Sequence, residues 1–483
     1  MNYHSRSSLE TYLSSCQFKY YLNYLKPNGE DQHKGIQTIE RSIDLEAGTL
    51  AHNIINQVLT AVVNQNNKTD TDYRTDFDYA LGVGLDQFDS VTNLLFDRKI
   101  DPDNEEFRQR SISEHRELIK ALCYLWFKTE FQFILRDYQV ISTEKEIESK
   151  LNDNDILLSR VDALLFHRET KEYVTWSLKT TKVLGWFTDA MENSDLQGYL
   201  EMFAANNYLA EVKQQKQKTL DQAYWLTEKD KNTLEAFLNK KAPEGDSVNS
   251  VRFCFLVKGD RKSSKKSPYP VRANSLIYGY RKRNKPIKPV TNKKGQYTEE
   301  EIELASKMVP EFSYAHSYEF YNSENASGTG VLGKDWEKFN VWEDYEGGVI
   351  QWIDDIAAGI IQPEATSPLE KFISAKVIIR DSLMLNRTVY YIKEVCKEIN
   401  LKLSRSERGS FFFPNTKSCS IPVTCDYQVA CPYSGVGDER FISDPLIENN
   451  EGNKLYQIRV PHHPEPIEKT TQLKMWEKER KNL

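Results

Sequence analysis

Residues 159–181 read Ser-Arg-Val-Asp-Ala-Leu-Leu-Phe-His-Arg-Glu-Thr-Lys-Glu-Tyr-Val-Thr-Trp-Ser-Leu-Lys-Thr-Thr, and no other stretch limits the fold as strongly. Val161, Leu164, Leu165 and Phe166 predict one short strand, and Tyr173, Val174, Trp176 and Leu178 a second. Between them residues 167–172 are polar and carry the turn, although they lack the Asn-Gly or Asp-Gly pair that fixes a tight hairpin. Ser177 and Lys179 are two apart on the second strand, so they project from one face. Asp162 on the neighbouring strand can point at the same spot. A carboxylate and a lysine gathered on adjacent strands can hold a divalent cation and polarise a phosphate.

A chain of 483 residues is too long for one core, and two to three domains are expected. Hydrophobic residues make up 39% and charged residues 28%, the balance of a soluble globular protein. No apolar run approaches the ~20 residues of a spanning helix, and no secretory apolar core follows Met-Asn-Tyr-His-Ser-Arg at the start. A cytoplasmic protein without a membrane role is the expectation. The net charge of −7 argues against nucleic acid, but its distribution argues the other way. Residues 258–294 hold thirteen basic residues against one acidic, a local charge of +12 that leaves −19 for the rest. Lys258, Arg261, Lys262, Lys265, Lys266, Arg281, Lys282 and Arg283 are the candidate contacts to a phosphate backbone. A solvated, partly disordered loop is the alternative.

Seven cysteines in a cytosolic chain do not suggest a disulfide framework. Cys123, Cys254 and Cys396 lie in apolar patterns and read as core. Cys419, Cys425 and Cys431 form a C-x5-C-x5-C group, whose short loops cost little entropy to close around one inorganic centre. Three thiolates are one short for a cubane iron-sulfur cluster or an all-thiolate zinc site. Cys16, near the apolar face of a helix predicted over residues 7–25, is the best placed fourth ligand. The alternative reading leaves all four as plain thiols.

Helices are also expected over 47–63, where His52 falls on the first turns, over most of 77–135 with a break at Asp101-Pro102, and over 189–211. Gln197 and Glu201 are four apart in the last of these and share a face. Strands are expected over 138–151 and 251–257, loops over 29–46 and 64–75, and helical, aromatic-rich sequence over 295–410. Past Gly437 come His462 and His463 in a loop and a charged final helix. No Gly-x-x-x-x-Gly-Lys-Ser/Thr loop is present, so no P-loop motor is encoded.

Taken in order, these pieces resemble the branch of the PD-(D/E)XK nucleases that holds RecB, AddB and the four-cysteine CRISPR-associated nucleases. The carriers are Cys16 in its helix, Gly48-Thr-Leu-Ala-His52, Arg160-Val-Asp162, Ser177-Leu-Lys179-Thr180, Gln197-Gly-Tyr199 and the final three cysteines. The resemblance covers about residues 1–60, 138–260 and 410–435. It implies an α/β fold with a restriction-endonuclease-like mixed sheet flanked by helices. A helical lobe is inserted over 61–136, the nuclease core spans 137–260, and a basic arm with a helical and aromatic region spans 261–410. It implies that residues 1–60 and 411–483 are joined by a [4Fe-4S] cluster on Cys16, Cys419, Cys425 and Cys431. It further implies Mg²⁺ or Mn²⁺ at His52, Asp162, the Lys179 backbone carbonyl and a carboxylate, Lys179 as the transition-state cation, and single-stranded or end-bearing DNA as substrate. A helicase, or other subunits of a DNA-processing or defence complex, would be the matching partners.

The sequence departs from that pattern at Ser177, where the second acidic residue should stand. A neutral hydroxyl is a poorer ligand for a hard cation than a carboxylate. Either the carboxylate has moved to the next helix, as Glu201 in preference to Glu192, or the site is degenerate. In the second case the chain would be a nucleic-acid-binding or assembly subunit. A zinc-stabilised scaffold unrelated to nucleases is a third class.

Overall fold

In the computed structural model the described residues are 2–28, 31–38, 41–92, 95–96, 105–181, 196–223, 226–241, 243–245, 247–259, 276–282, 336–361, 369–405, 411–415, 425–434, 436–449 and 454–459. A six-stranded mixed sheet is built from β1 (Asn2–Ser5), β2 (Tyr138–Lys150), β3 (Asp155–His167), β4 (Tyr173–Thr181), β5 (Ser250–Val257) and β6 (Ile373–Ile379). β2 runs antiparallel along most of β3. On the other edge of β3, β1 pairs parallel with its first residues and β4 antiparallel with its last. β5 then lies parallel to β4, and β6 closes the edge antiparallel to β5.

The apolar pattern explains the layers. Val174, Trp176, Leu178, Cys254 and Leu256 alternate onto one face, where they meet α1 (Ile43–Asn64), α2 (Arg74–Ser90), α3 (Glu105–Lys128) and α4 (Glu130–Asp137). Tyr173, Val251, Phe253 and Phe255 fall on the other face against Met202, Ala205 and Leu209 of α5 (Leu196–Gln222). Every residue of β5 is buried, as a parallel strand covered on both faces requires. Full burial of side chains such as Phe253 or Leu256 contributes about 1.5–3 kcal/mol each. Arg252 of β5 is also buried, and it is neutralised by a bidentate pair to Glu130 at 2.7 and 2.8 Å.

The β3–β4 hairpin turn owes its shape to other chemistry than Asn-Gly. Lys171 takes the left-handed conformation (φ +62°). His167 Nδ1 accepts the N–H groups of Glu169 and Thr170 at 3.2 and 3.1 Å.

Several elements differ from the sequence expectation. The helix over 7–25 is interrupted at Cys16, whose backbone is extended and whose sulfur caps the next turn by accepting Lys19 N–H at 3.4 Å. The loop over 29–46 contains Ile36–Thr38, a strand that pairs with Tyr456–Ile458, and α1 begins at Ile43. The helical region over 295–410 includes β6, which takes its strand character from the open edge of β5. Apart from these differences, the helices within 61–136 pack on the sheet through one continuous core, with Trp126 against Trp176 at 6.4 Å between rings. The Asp101-Pro102 break, His462, His463 and the final helix lie outside the described residues.

Candidate active site

The site forms where two strands part. The β3–β4 ladder joins only Ala163–Phe166 to Tyr173–Trp176. Beyond it β4 stays with β5, while the beginning of β3 is held by β1. Asp162 and Ser177 are the first residues past the last rung. This fork leaves the backbone of Leu178 without a ladder partner on the β3 side, and side chains take over. Asp162 Oδ2 accepts Leu178 N–H at 2.8 Å, and the His52 ring hydrogen-bonds the Leu178 backbone. His52 Nδ1 comes within 3.9 Å of Asp162 Oδ2.

Gly48 explains how α1 reaches so far in. A Cβ there would stand 2.7 Å from Thr180 Oγ1 of β4, so only glycine lets the helix close on the strand. His52 follows one turn later, on the same helix face.

From the other side α5 delivers Gln197 and Glu201. Ser177 Oγ lies 3.5 Å from Asp162 Oδ2 and 3.4 Å from Glu201 Oε1. Gln197 Nε2 donates to Ser177 Oγ at 2.9 Å and also to Glu201 Oε1, and Arg6 donates to Gln197 Oε1. Glu201 is buried, and among the described residues its Oε2 has no hydrogen-bond partner. Burial pushes its pKa up to about 7; the Asp162 charge adds to the rise and Lys179 opposes it. Burial pushes the His52 pKa down, Asp162 resists, and Lys179 and Arg160 reinforce the fall, so the ring is a neutral nitrogen donor. Lys179 shares the Ser177 face of β4, and its charge lowers the pKa of both His52 and Glu201.

Sequence reading missed Glu144 of β2. His52, Glu144 and Asp162 offer ligand atoms that all lie within 4.8 Å of one another. Glu144 has φ +46°, which is unusual for a residue with a side chain, and it interrupts the β2–β3 pairing beside Asp162. Asn56 donates to Glu144, and Arg160 pairs with it. Burial raises the Glu144 pKa to about 7, against the pull of Arg160. Glu144, Glu146 and Glu148 alternate along one strand, so nothing local singles out the first; only the register against β3 does. Glu201 is not in this three-donor group and stands across Ser177 from Asp162. Glu192 lies outside the described residues. Imidazole and carboxylate donors, together with an orphaned carboxylate oxygen, suit a hard divalent cation.

Cys16, Cys425 and Cys431 line one pocket with Phe18, Pro414 and Tyr427. Cys16 Sγ accepts N–H groups from Lys19 and Asn415, each at 3.4 Å, as a thiolate ligand would. Among the described residues no three sulfurs lie within 4.8 Å of one another, and Cys419 lies outside them. Of the basic candidates, Lys258 is paired with Asp44 at 3.0 Å and fixes the start of α1 to the end of β5. Arg281 and Lys282 lie on a short strand paired with Trp336–Asn340, and Arg261, Lys262, Lys265, Lys266 and Arg283 lie outside the described residues. Among the described residues no helix is long and apolar enough to cross a membrane.

No curated protein matches the sequence. A family model does, over residues 3–316, which takes in β1 to β5, the forked strands and the helices on both faces. With that match and the mixed sheet carrying it, the chain belongs to the PD-(D/E)XK nuclease superfamily.

Proposed function

We propose that the chain is a metal-dependent deoxyribonuclease acting on single-stranded or end-bearing DNA. The observation that carries this reading is the buried carboxylate of Glu201, which shares Ser177 with Asp162 and faces the charge of Lys179. Glu201 then stands in for the acidic residue absent at Ser177. Asp162 and Glu201 would supply carboxylates and His52 a nitrogen to Mg²⁺ or Mn²⁺. The expected Lys179 carbonyl instead faces the β4–β5 ladder, because Leu178 N–H points to Asp162 and the Thr181 carbonyl accepts from Lys258 N–H. When bound there, a divalent cation supplies Lewis acidity to a phosphate oxygen and lowers the pKa of a water. Lys179 stabilises the negative charge that develops on the phosphate. Gln197 orients Ser177 and Glu201, and Arg6 fixes the direction of the Gln197 amide. The basic arm holds the DNA backbone, so binding weakens steeply with salt.

A [4Fe-4S] cluster on Cys16, Cys419, Cys425 and Cys431 belongs to the same proposal. Its support is the shared pocket of Cys16, Cys425 and Cys431 and the two N–H groups aimed at Cys16. Its role would be to staple the chain ends, and a partner helicase would feed the DNA. The presence of Ser177 favours one second reading, a nucleic-acid-binding subunit without cleavage.

Cleavage assays with Mn²⁺ decide between them. Lys179→Ala and Glu201→Gln should each lose at least about 10²-fold in rate, the scale of a missing transition-state contact, while DNA binding persists. Binding without cleavage by the wild type selects the second reading.

A further inference from the structure

We propose that Glu144 is a further cation ligand, forming with His52 and Asp162 a divalent-cation position beside the one bounded by Asp162 and Glu201, with Asp162 and His52 common to both. The proposal deepens the nuclease reading and rests on it for any part in catalysis, but not for cation binding itself.

The three donors come from three separate elements, α1, β2 and β3, and meet within 4.8 Å. Two carboxylates and one imidazole make a hard set suited to Mn²⁺ or Mg²⁺. Glu144 is held for this task by more than one device. Its left-handed backbone swings it out of the regular strand, a conformation that persists only where the surroundings impose it. Asn56 fixes one side of the carboxylate. Asn56 stands four residues after His52, so one face of α1 presents a ligand and, a turn later, the residue that orients another. Arg160, two residues before Asp162 on β3, pairs with the carboxylate. A plain Arg160–Glu144 ion pair would account for the charge balance. It would not account for His52 and Asp162 converging on the same carboxylate.

The test is Mn²⁺ titration of the full-length protein after EDTA treatment and without DNA, read by calorimetry or by the spin resonance of free Mn²⁺. Glu144→Gln and His52→Gln should each weaken one class of site by at least about tenfold, and Glu201→Gln should retain that class. Glu144→Cys should lose Mn²⁺ and gain Cd²⁺, because a thiolate prefers the softer ion. The seven native cysteines also take Cd²⁺, so the gain is read as one equivalent over the wild type in a variant with unchanged circular dichroism. Wild-type Mn²⁺ binding by Glu144→Gln, or no gain of Cd²⁺ by Glu144→Cys, overturns the proposal. A wild type that binds Mn²⁺ through Glu144 but cuts no DNA removes the nuclease reading and leaves this position standing. Cleaving wild type with normal binding by Glu144→Gln does the reverse.

Discussion

Glu201 keeps its proton in the folded protein up to a pH of about 7, against an ordinary value of 4.5, because burial and the neighbouring Asp162 charge disfavour the carboxylate. Between those values the folded state binds more protons than the unfolded state. Stability of the cation-free protein therefore falls as pH rises through that window. Glu201→Gln removes this contribution. The thermal midpoint of EDTA-treated wild type should drop between pH 5 and 8 more than that of the variant, and Mn²⁺ should restore more at the upper end. Equal slopes would show that Glu201 does not carry the buried charge. These side chains were unequally legible in the sequence. Asp162, Ser177 and Lys179 follow from strand alternation, and Gln197 and Glu201 from helical spacing. Glu144 does not, because its place depends on a register irregularity between Val140 and Ser142 and on a backbone angle no sequence pattern announces.

Helix α1 and strand β4 touch through Gly48 and Thr180, and this contact sets the depth of His52. Gly48→Ala should destabilise the fold by about 1–3 kcal/mol, the cost of overpacking, and lower activity as His52 is pushed back. Thr180→Ala removes the obstructing hydroxyl, so the double variant should recover much of both losses in a denaturant titration and a rate assay. No recovery would place the defect elsewhere. On the same face, Glu130 of α4 neutralises Arg252 and accepts from Trp176 Nε1 at 3.3 Å. Glu130→Ala would leave a buried guanidinium unpaired and should cost about 3–5 kcal/mol in urea unfolding. A loss under about 1 kcal/mol would mean that water reaches Arg252. The central strands were readable because β4 and β5 are dense in β-branched and aromatic residues. β1 and β6 were not, since each becomes a strand only by lying on an edge far away in sequence.

The two ends of the chain meet around Cys16. Phe412, Tyr427, Cys431 and Tyr456 share a core with Leu9, Tyr12 and Tyr20. Tyr427 Oη lies 3.1 Å from Asn23 Oδ1 and 3.0 Å from the Ile36 carbonyl, and Tyr456–Ile458 pairs with Ile36–Thr38. If a cluster reinforces this junction, protein purified without oxygen should be brown, with absorption near ~400 nm. Cys16→Ser or Cys425→Ser should bleach it and lower the thermal midpoint. A colourless protein with one zinc per chain would instead assign the thiols to zinc. The contact between the chain ends was an expectation of the family resemblance rather than of cysteine spacing, and the break that frees the Cys16 sulfur, inside an apolar helical pattern, was not legible at all. The hydrolytic fork between β3 and β4 is the claim on which the rest depends. Its most direct test is the initial rate of single-stranded DNA hydrolysis against Mn²⁺ concentration, for wild type and Asp162→Ala prepared side by side. Saturation with Mn²⁺ in the wild type, abolition by EDTA, and a fall of at least about 10²-fold in the variant are expected. Equal rates in the two proteins, or no hydrolysis by the wild type, would contradict it.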